Sequence, residues 1–168
     1  RIKKHDLESI VRIGGLRMRK KCKRKVWALV DPITHAIHGA AITTQTDLNK
    51  LRDREKAAIE SFRTGKATKR DWQNLADMLN LAETMANGGI GPEVLPTCGD
   101  VQTALIDAAK RYETTGRMGM TGPGLYAINE LFEWHDLQRV SISRSEYERQ
   151  IQTTINRIRS KTAEVIEL

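Results

Sequence analysis

Residues 68–86 constrain the fold more than any other stretch of this sequence. Thr68 and Asp71 have the spacing of a capping box. Behind them Trp72, Leu75, Ala76, Met78, Leu79, Ala82, Met85 and Ala86 recur at i, i+3, i+4 and i+7. Gly88-Gly89 then supplies a stop. A helix with one apolar face of this length is stable only when that face is covered. The segment therefore predicts further helices or a sheet packed against it, and the rest of the chain decides which.

The remaining segments keep the same period. Asp31 and Pro32 read as an N-cap and first-turn proline for a short helix that Gly39 weakens. From about Thr44, the positions Leu48, Leu51, Ala58, Ile59 and Phe62 keep helical spacing up to Gly65. The four or so residues between Gly65 and the next helix favour an antiparallel pair. The stretch from Gly88 to Gly99, with Pro92 and Pro96, reads as an ordered loop or turn. Val101, Ala104, Leu105, Ala108, Ala109 and Tyr112 form the next stripe. After the glycines at 116, 119, 122 and 124, Thr121 and Pro123 open a helix carrying Leu125, Ile128, Leu131, Phe132 and His135. Ser143 and Glu146 have capping-box spacing, and Tyr147, Ile151, Ile155 and Ile158 follow. Nearer the start, residues 6–13 have the pattern of one short helix and residues 26–30 that of one short strand. The expected fold is all-α: a single-domain helical bundle of about five to six helices, with Trp72, Leu75, Leu79, Leu105, Leu131, Phe132 and Ile151 in its core.

A chain of 168 residues with 39% hydrophobic and 29% charged residues has globular proportions and length enough for one self-sufficient core. Its two cysteines, Cys22 and Cys98, form no C-x-x-C pair, which predicts a reduced, cytoplasmic protein. No apolar run reaches the roughly 18 residues of a membrane span. Val26-Trp27-Ala28-Leu29-Val30 is too short for a signal-peptide core, so neither membrane insertion nor export is expected.

The net charge of +7 is unevenly placed. Eleven of the 28 Lys/Arg and two of the 21 Asp/Glu lie in residues 1–25, giving that arm +9 and leaving residues 26–168 at −2. The sequence thus divides into a basic N-terminal arm, 1–25, and a helical domain, 26–168. Seven of the nine residues 17–25 are Lys or Arg, namely Arg17, Arg19, Lys20, Lys21, Lys23, Arg24 and Lys25. Cations packed this densely repel one another until a polyanion neutralises them, and phosphate neutralisation is favoured by counterion release. Trp27 follows the run directly and offers a stacking surface for a base. The alternative is a solvated tail, a tether to an acidic protein or a transport signal. Met18, at the head of the run, is a candidate translation start, which would put residues 1–17 upstream of it.

Other constellations are weaker. His35 and His38 stand three apart, but no third or fourth ligand joins them, so no metal is expected. Cys22 lies among cations that favour its thiolate, without a catalytic partner. His135 between Glu133 and Asp136 invites an acid–base reading, yet its spacing fits a partly buried residue at the core edge. The glycine-rich stretch 116–124 precedes a helix but lacks both the preceding strand and the Gly-Lys-Ser/Thr of a phosphate loop. No catalytic residue and no cofactor is expected.

The segment Val140-Ser141-Ile142-Ser143-Arg144-Ser145-Glu146-Tyr147-Glu148-Arg149 resembles the turn and recognition-helix start of helix-turn-helix proteins. That resemblance implies that Arg144 and Arg149 reach into a major groove. It departs from the pattern at Ser141, where glycine is favoured, and places Glu146 and Glu148 towards any phosphate; a capped surface helix explains the same residues. Over most of residues 18–160 the chain also resembles small uncharacterised proteins of bacterial prophages. The stretches Arg19–Val30 with Asp31-Pro32-Ile33, Leu79–Gly91, Thr115–Gly124 and His135–Tyr147 carry that likeness. It implies a mobile-element origin and no particular activity. Together these features predict a non-enzymatic accessory or regulatory protein that contacts DNA or RNA through its arm. The alternative is a protein-binding module that inhibits or adapts a host complex, and a homodimer is compatible with either.

Overall fold

A computed structural model of the protein describes residues 32–40 and 45–160. These residues form six α-helices and one 3-10 turn, with no strand among them. The helices are α1 (Pro32–Ala40), α2 (Gln45–Arg63), α3 (Lys69–Asn87), α4 (Leu95–Thr115), α5 (Gly122–Ser141) and α6 (Arg144–Arg159); the 3-10 turn, Pro92–Val94, precedes α4. The expected all-α bundle is the observed class. The short helix at 6–13, the strand at 26–30, the Asp31 cap and the start of α2 at Thr44 lie outside the described residues.

Helices α2 to α5 close into a ring. α2 lies against α3 and α5, α4 lies against the same two, and α3 also reaches α5. Arg52 on α2 meets Asp136 on α5, while one turn further along α2 the Lys56 ammonium stands 5.4 Å from the Phe132 ring centre. The partner's number falls as that on α2 rises, so these two helices run antiparallel. The turn after α2 uses Gly65 at φ 69°, and Thr68 then caps α3 with both halves of the capping box formed. The α3 stripe is buried as its spacing requires, with Trp72, Leu75, Ala82 and Met85 fully enclosed. Trp72 also donates its indole N–H to the Leu105 carbonyl at 2.9 Å, tying α3 to α4. This contact satisfies the one polar atom that a core tryptophan brings with it.

The α4–α5 approach depends on one glycine. A Cβ at Gly124 would stand 2.9 Å from that of Ala104 on α4 and 2.7 Å from Met120 Cγ. Any side chain there would push the start of α5 away from α4. Thr121 caps α5 by accepting from the Gly124 N–H, and Pro123 occupies the first turn, where its missing N–H is not needed.

Three sequence expectations are corrected. The stretch up to Gly99 is not a loop throughout, because α4 begins at Leu95 with Pro96 in its first turn. Proline halts a helix only where it would block an internal hydrogen bond, and first-turn positions have none to lose. Ile151 is not a core residue but is 37% exposed. α6 turns Tyr147, Gln150 and Thr154 inward, at i, i+3 and i+7, and leaves Ile151 at the rim of that face, where it lines an open groove with Asp77, Asn80 and Leu81 of α3. The Ser143 box is half formed: Ser143 Oγ accepts from the Glu146 N–H, but the Glu146 carboxylate turns to Gln150 and Arg149 instead. The other expected core residues, Trp72, Leu75, Leu79, Leu105, Leu131 and Phe132, are buried.

Candidate nucleic-acid interface and the buried polar cluster

The expected interface has two parts. Arg17, Arg19, Lys20, Lys21, Lys23, Arg24, Lys25 and Trp27 lie outside the described residues, as does Cys22. Arg144 and Arg149 lie on α6, and both are exposed. Each is paired along its own helix: Arg144 Nε donates to Glu148 Oε1 at 3.0 Å, and Arg149 pairs with Glu146. The bond from Arg149 holds the Glu146 carboxyl below its usual range, with that from Gln150 adding to the effect. The first turns of α6 therefore carry as much negative as positive charge, a poor surface for phosphate. Two residues separate the end of α5 from the start of α6, which packs on α3 and α1.

Elsewhere in the described body three further arginines are similarly engaged. Arg52 grips Asp136 through two bonds of 2.6 and 2.9 Å, and Arg157 reaches Thr84 and Glu83. Arg63 pairs with Glu60 on the same helix. Pairs at or near the surface add little to stability, because water and salt screen them. Their larger effect is to cancel surface charge that a polyanion would otherwise read.

The structure adds a cluster that periodicity alone did not reveal. Arg139 on α5 and Glu55 on α2 form a two-pronged ion pair with side chains 1% and 2% exposed. Burial opposes the charge on Arg139, but the hydrogen bonds and attraction of Glu55 outweigh it and raise its pKa. The Tyr147 hydroxyl from α6 lies against this pair, its pKa pushed up by burial. Both charges occupy core-facing positions in their stripes: Glu55 lies between Leu48 and Ile59, and Arg139 one turn beyond His135. That placement was the available signal, since a lone charge in a buried stripe implies a partner.

His135 is wholly buried, not at the core edge as its spacing had suggested. α5 turns its face squarely towards α2 and α3, so the position one turn before Arg139 is enclosed. The side-chain amide of Gln138 donates to the carbonyls of Ala82 and Ile90, at 3.2 and 2.7 Å. With both its N–H groups engaged, Gln138 presents Oε1 to His135 Nδ1 at 3.0 Å, so His135 carries its proton on Nδ1. Burial, reinforced by Arg139, lowers its pKa to about 3. A neutral, enclosed imidazole holding a glutamine has no access to a substrate. Gly91, at φ 62°, lets the chain after α3 pass close over Gln138, where a Cβ would stand 3.2 Å from Gln138 Cγ.

Cys98 is buried, and desolvation pushes its thiol up to about 12, which makes it inert. Among the described residues no three His, Cys, Asp or Glu side chains gather in a metal-binding arrangement. His35 and His38 lie on α1, and their side chains are outside what is described. No helix among the described residues is long and apolar enough to cross a membrane. No protein-family model, curated protein or solved structure matches this chain.

Proposed function

We propose that this chain is a non-enzymatic accessory protein that associates with nucleic acid through its basic arm. Its setting on this reading is the bacterial cytoplasm, and its role regulatory, as the prophage-like texture suggests. One observation carries the reading: +9 of charge is concentrated in residues 1–25 of a chain whose remainder is −2. The ion pairs of α6 support it, because they weaken the competing interface at Arg144 and Arg149. Arg17, Arg19, Lys20, Lys21, Lys23, Arg24 and Lys25 would neutralise phosphates, with Trp27 stacking at the end of the run. Contacts of this kind grip without reading sequence.

The salt dependence of binding tests this reading. If about five cations neutralise phosphates, log K against log salt falls with a slope of about −4.5 on duplex DNA and about −3.5 on single strands. Fluorescence anisotropy with a labelled duplex and a labelled single-stranded RNA measures both slopes. Absence of binding to either at low ionic strength would overturn the proposal. The alternative, a protein-binding module, draws its support from the outer surface of α5.

A further inference from the structure

α5 is apolar on more than its buried side. Ile128, Leu131, Phe132 and His135 face the core, yet on the opposite side Tyr126 is 73% and Leu137 59% exposed. Tyr126, Glu130, Glu133, Trp134 and Leu137 follow one another at i, i+4, i+7, i+8 and i+11, so they share one face. With Asn129 they line a shallow groove of about 280 Å³ along the helix. The stripe spans three turns, about 16 Å. Trp134 is half-buried and packs in part against the core, but a bundle does not need Tyr126 and Leu137 outside, since a surface helix normally presents polar residues there.

We infer that this outer face of α5 docks a cationic amphipathic helix of a partner protein. Glu130 and Glu133 flank the aromatic and aliphatic side chains, and neither makes an ion pair among the described residues. Glu130 also borders a second recess with Asp100 and Asp107 of α4. Of these, Asp107 has Lys110 at 3.9 Å. The surface therefore pairs an apolar centre with an acidic rim, the arrangement that selects a partner with an apolar stripe flanked by Lys or Arg. A helix fits because the groove runs along one helix for three turns, allowing anchors at i, i+4 and i+7 to seat in it. A second copy of this chain fits poorly: a two-fold contact through α5 would set Glu130 and Glu133 against their own counterparts. The inference rests on α5 and goes beyond the nucleic-acid reading.

Nuclear magnetic resonance titration of the full chain, at physiological ionic strength, provides the test. The probe is a synthetic Leu/Lys amphipathic helix of about 18 residues, long enough to fold on a surface. The control is its Leu/Glu counterpart with the same apolar face. The Leu/Lys peptide is expected to shift the amides around Tyr126, Glu130, Trp134 and Leu137, and the Leu/Glu peptide to shift none. Charge reversal in the E130K/E133K variant should weaken binding about tenfold, the effect of two rim charges, and Leu137→Ala should weaken it several-fold. All three positions are on the surface, so the amide spectrum of each variant should otherwise match the wild type. Shifts located elsewhere, equal binding by the acidic peptide, or undiminished binding by E130K/E133K would overturn the inference. So would a concentration-dependent dimer broken by Leu137→Ala, or a change at these amides on neutralising Lys20, Lys21, Lys23, Arg24 and Lys25 without peptide. Those last results would assign the face to a second copy or to the chain's own arm.

Discussion

Residues 1–25 and the helical body handle charge in opposite ways. In the body, Arg139 is met by Glu55, Arg52 by Asp136, Arg157 by Glu83, and Arg144 and Arg149 by Glu148 and Glu146. In the first 25 residues eleven cations have two acidic residues among them. The described body answers many of its charges within the fold, while for the arm we propose an external anion. A helix bearing arginines is thus no guide to a phosphate surface until its carboxylates are placed, whereas a segment with eleven cations and only two carboxylates is one from its sequence alone.

Breaking the internal pairing should give the largest effect. Arg139→Met leaves Glu55 buried without a counter-charge, and should destabilise the fold by about 3–5 kcal/mol in chemical denaturation. The double change Glu55→Leu with Arg139→Met should recover most of that loss, because an apolar pair of similar volume replaces the ion pair. If the double variant is as unstable as the single one, the pair does not act as a unit. Truncation in the apolar part of the core sets the scale: Leu79→Ala should cost about 2–5 kcal/mol. A loss under about half a kcal/mol would move Leu79 to the surface.

Acid titration sharpens the comparison further. His135 has a folded pKa of about 3, below its ordinary 6.5, so the unfolded chain takes up a proton that the native state refuses. Its contribution is complete above pH 6.5 and is lost as pH falls towards 3, at about 1.4 kcal/mol per unit. Urea denaturation at several pH values should show this slope, and His135→Phe should remove that part of it. An unchanged slope in the variant would mean that other groups, such as the paired carboxylates, carry the acid sensitivity. Ile151→Ala should have the smallest effect, less than about 1 kcal/mol, because the residue is exposed at the rim of the α6–α3 groove. A large loss would restore the packing that isoleucine spacing alone suggested.

Much of the architecture was legible from periodicity and caps. Thr68, Thr121 and Ser143 each mark a helix start, and the Trp72–Ala86 stripe is buried where its spacing put it. α6 misled because its apolar residues and its buried residues differ by one position: Tyr147, Gln150 and Thr154 face inward, and hydrophobicity counts only the first. The Glu55–Arg139 pair was hidden for another reason. Each residue interrupts an apolar stripe, but the two are 84 positions apart, and only tertiary packing joins them. Of the candidate interface, the arm's charge is plain from the sequence, while the neutralisation of Arg144 and Arg149 depends on side-chain geometry that i, i+3 and i, i+4 spacing permits but does not compel.

The most direct test replaces Lys20, Lys21, Lys23, Arg24 and Lys25 with Ala, then follows duplex binding and thermal unfolding in the same preparation. Loss of binding together with its salt slope, at an unfolding midpoint unchanged within a few degrees, is the result expected of an arm that grips phosphate and a body that folds without it. Undiminished binding by this variant would contradict the account and transfer the interface to the helical body, with the Ser143–Arg149 turn of α6 its first candidate.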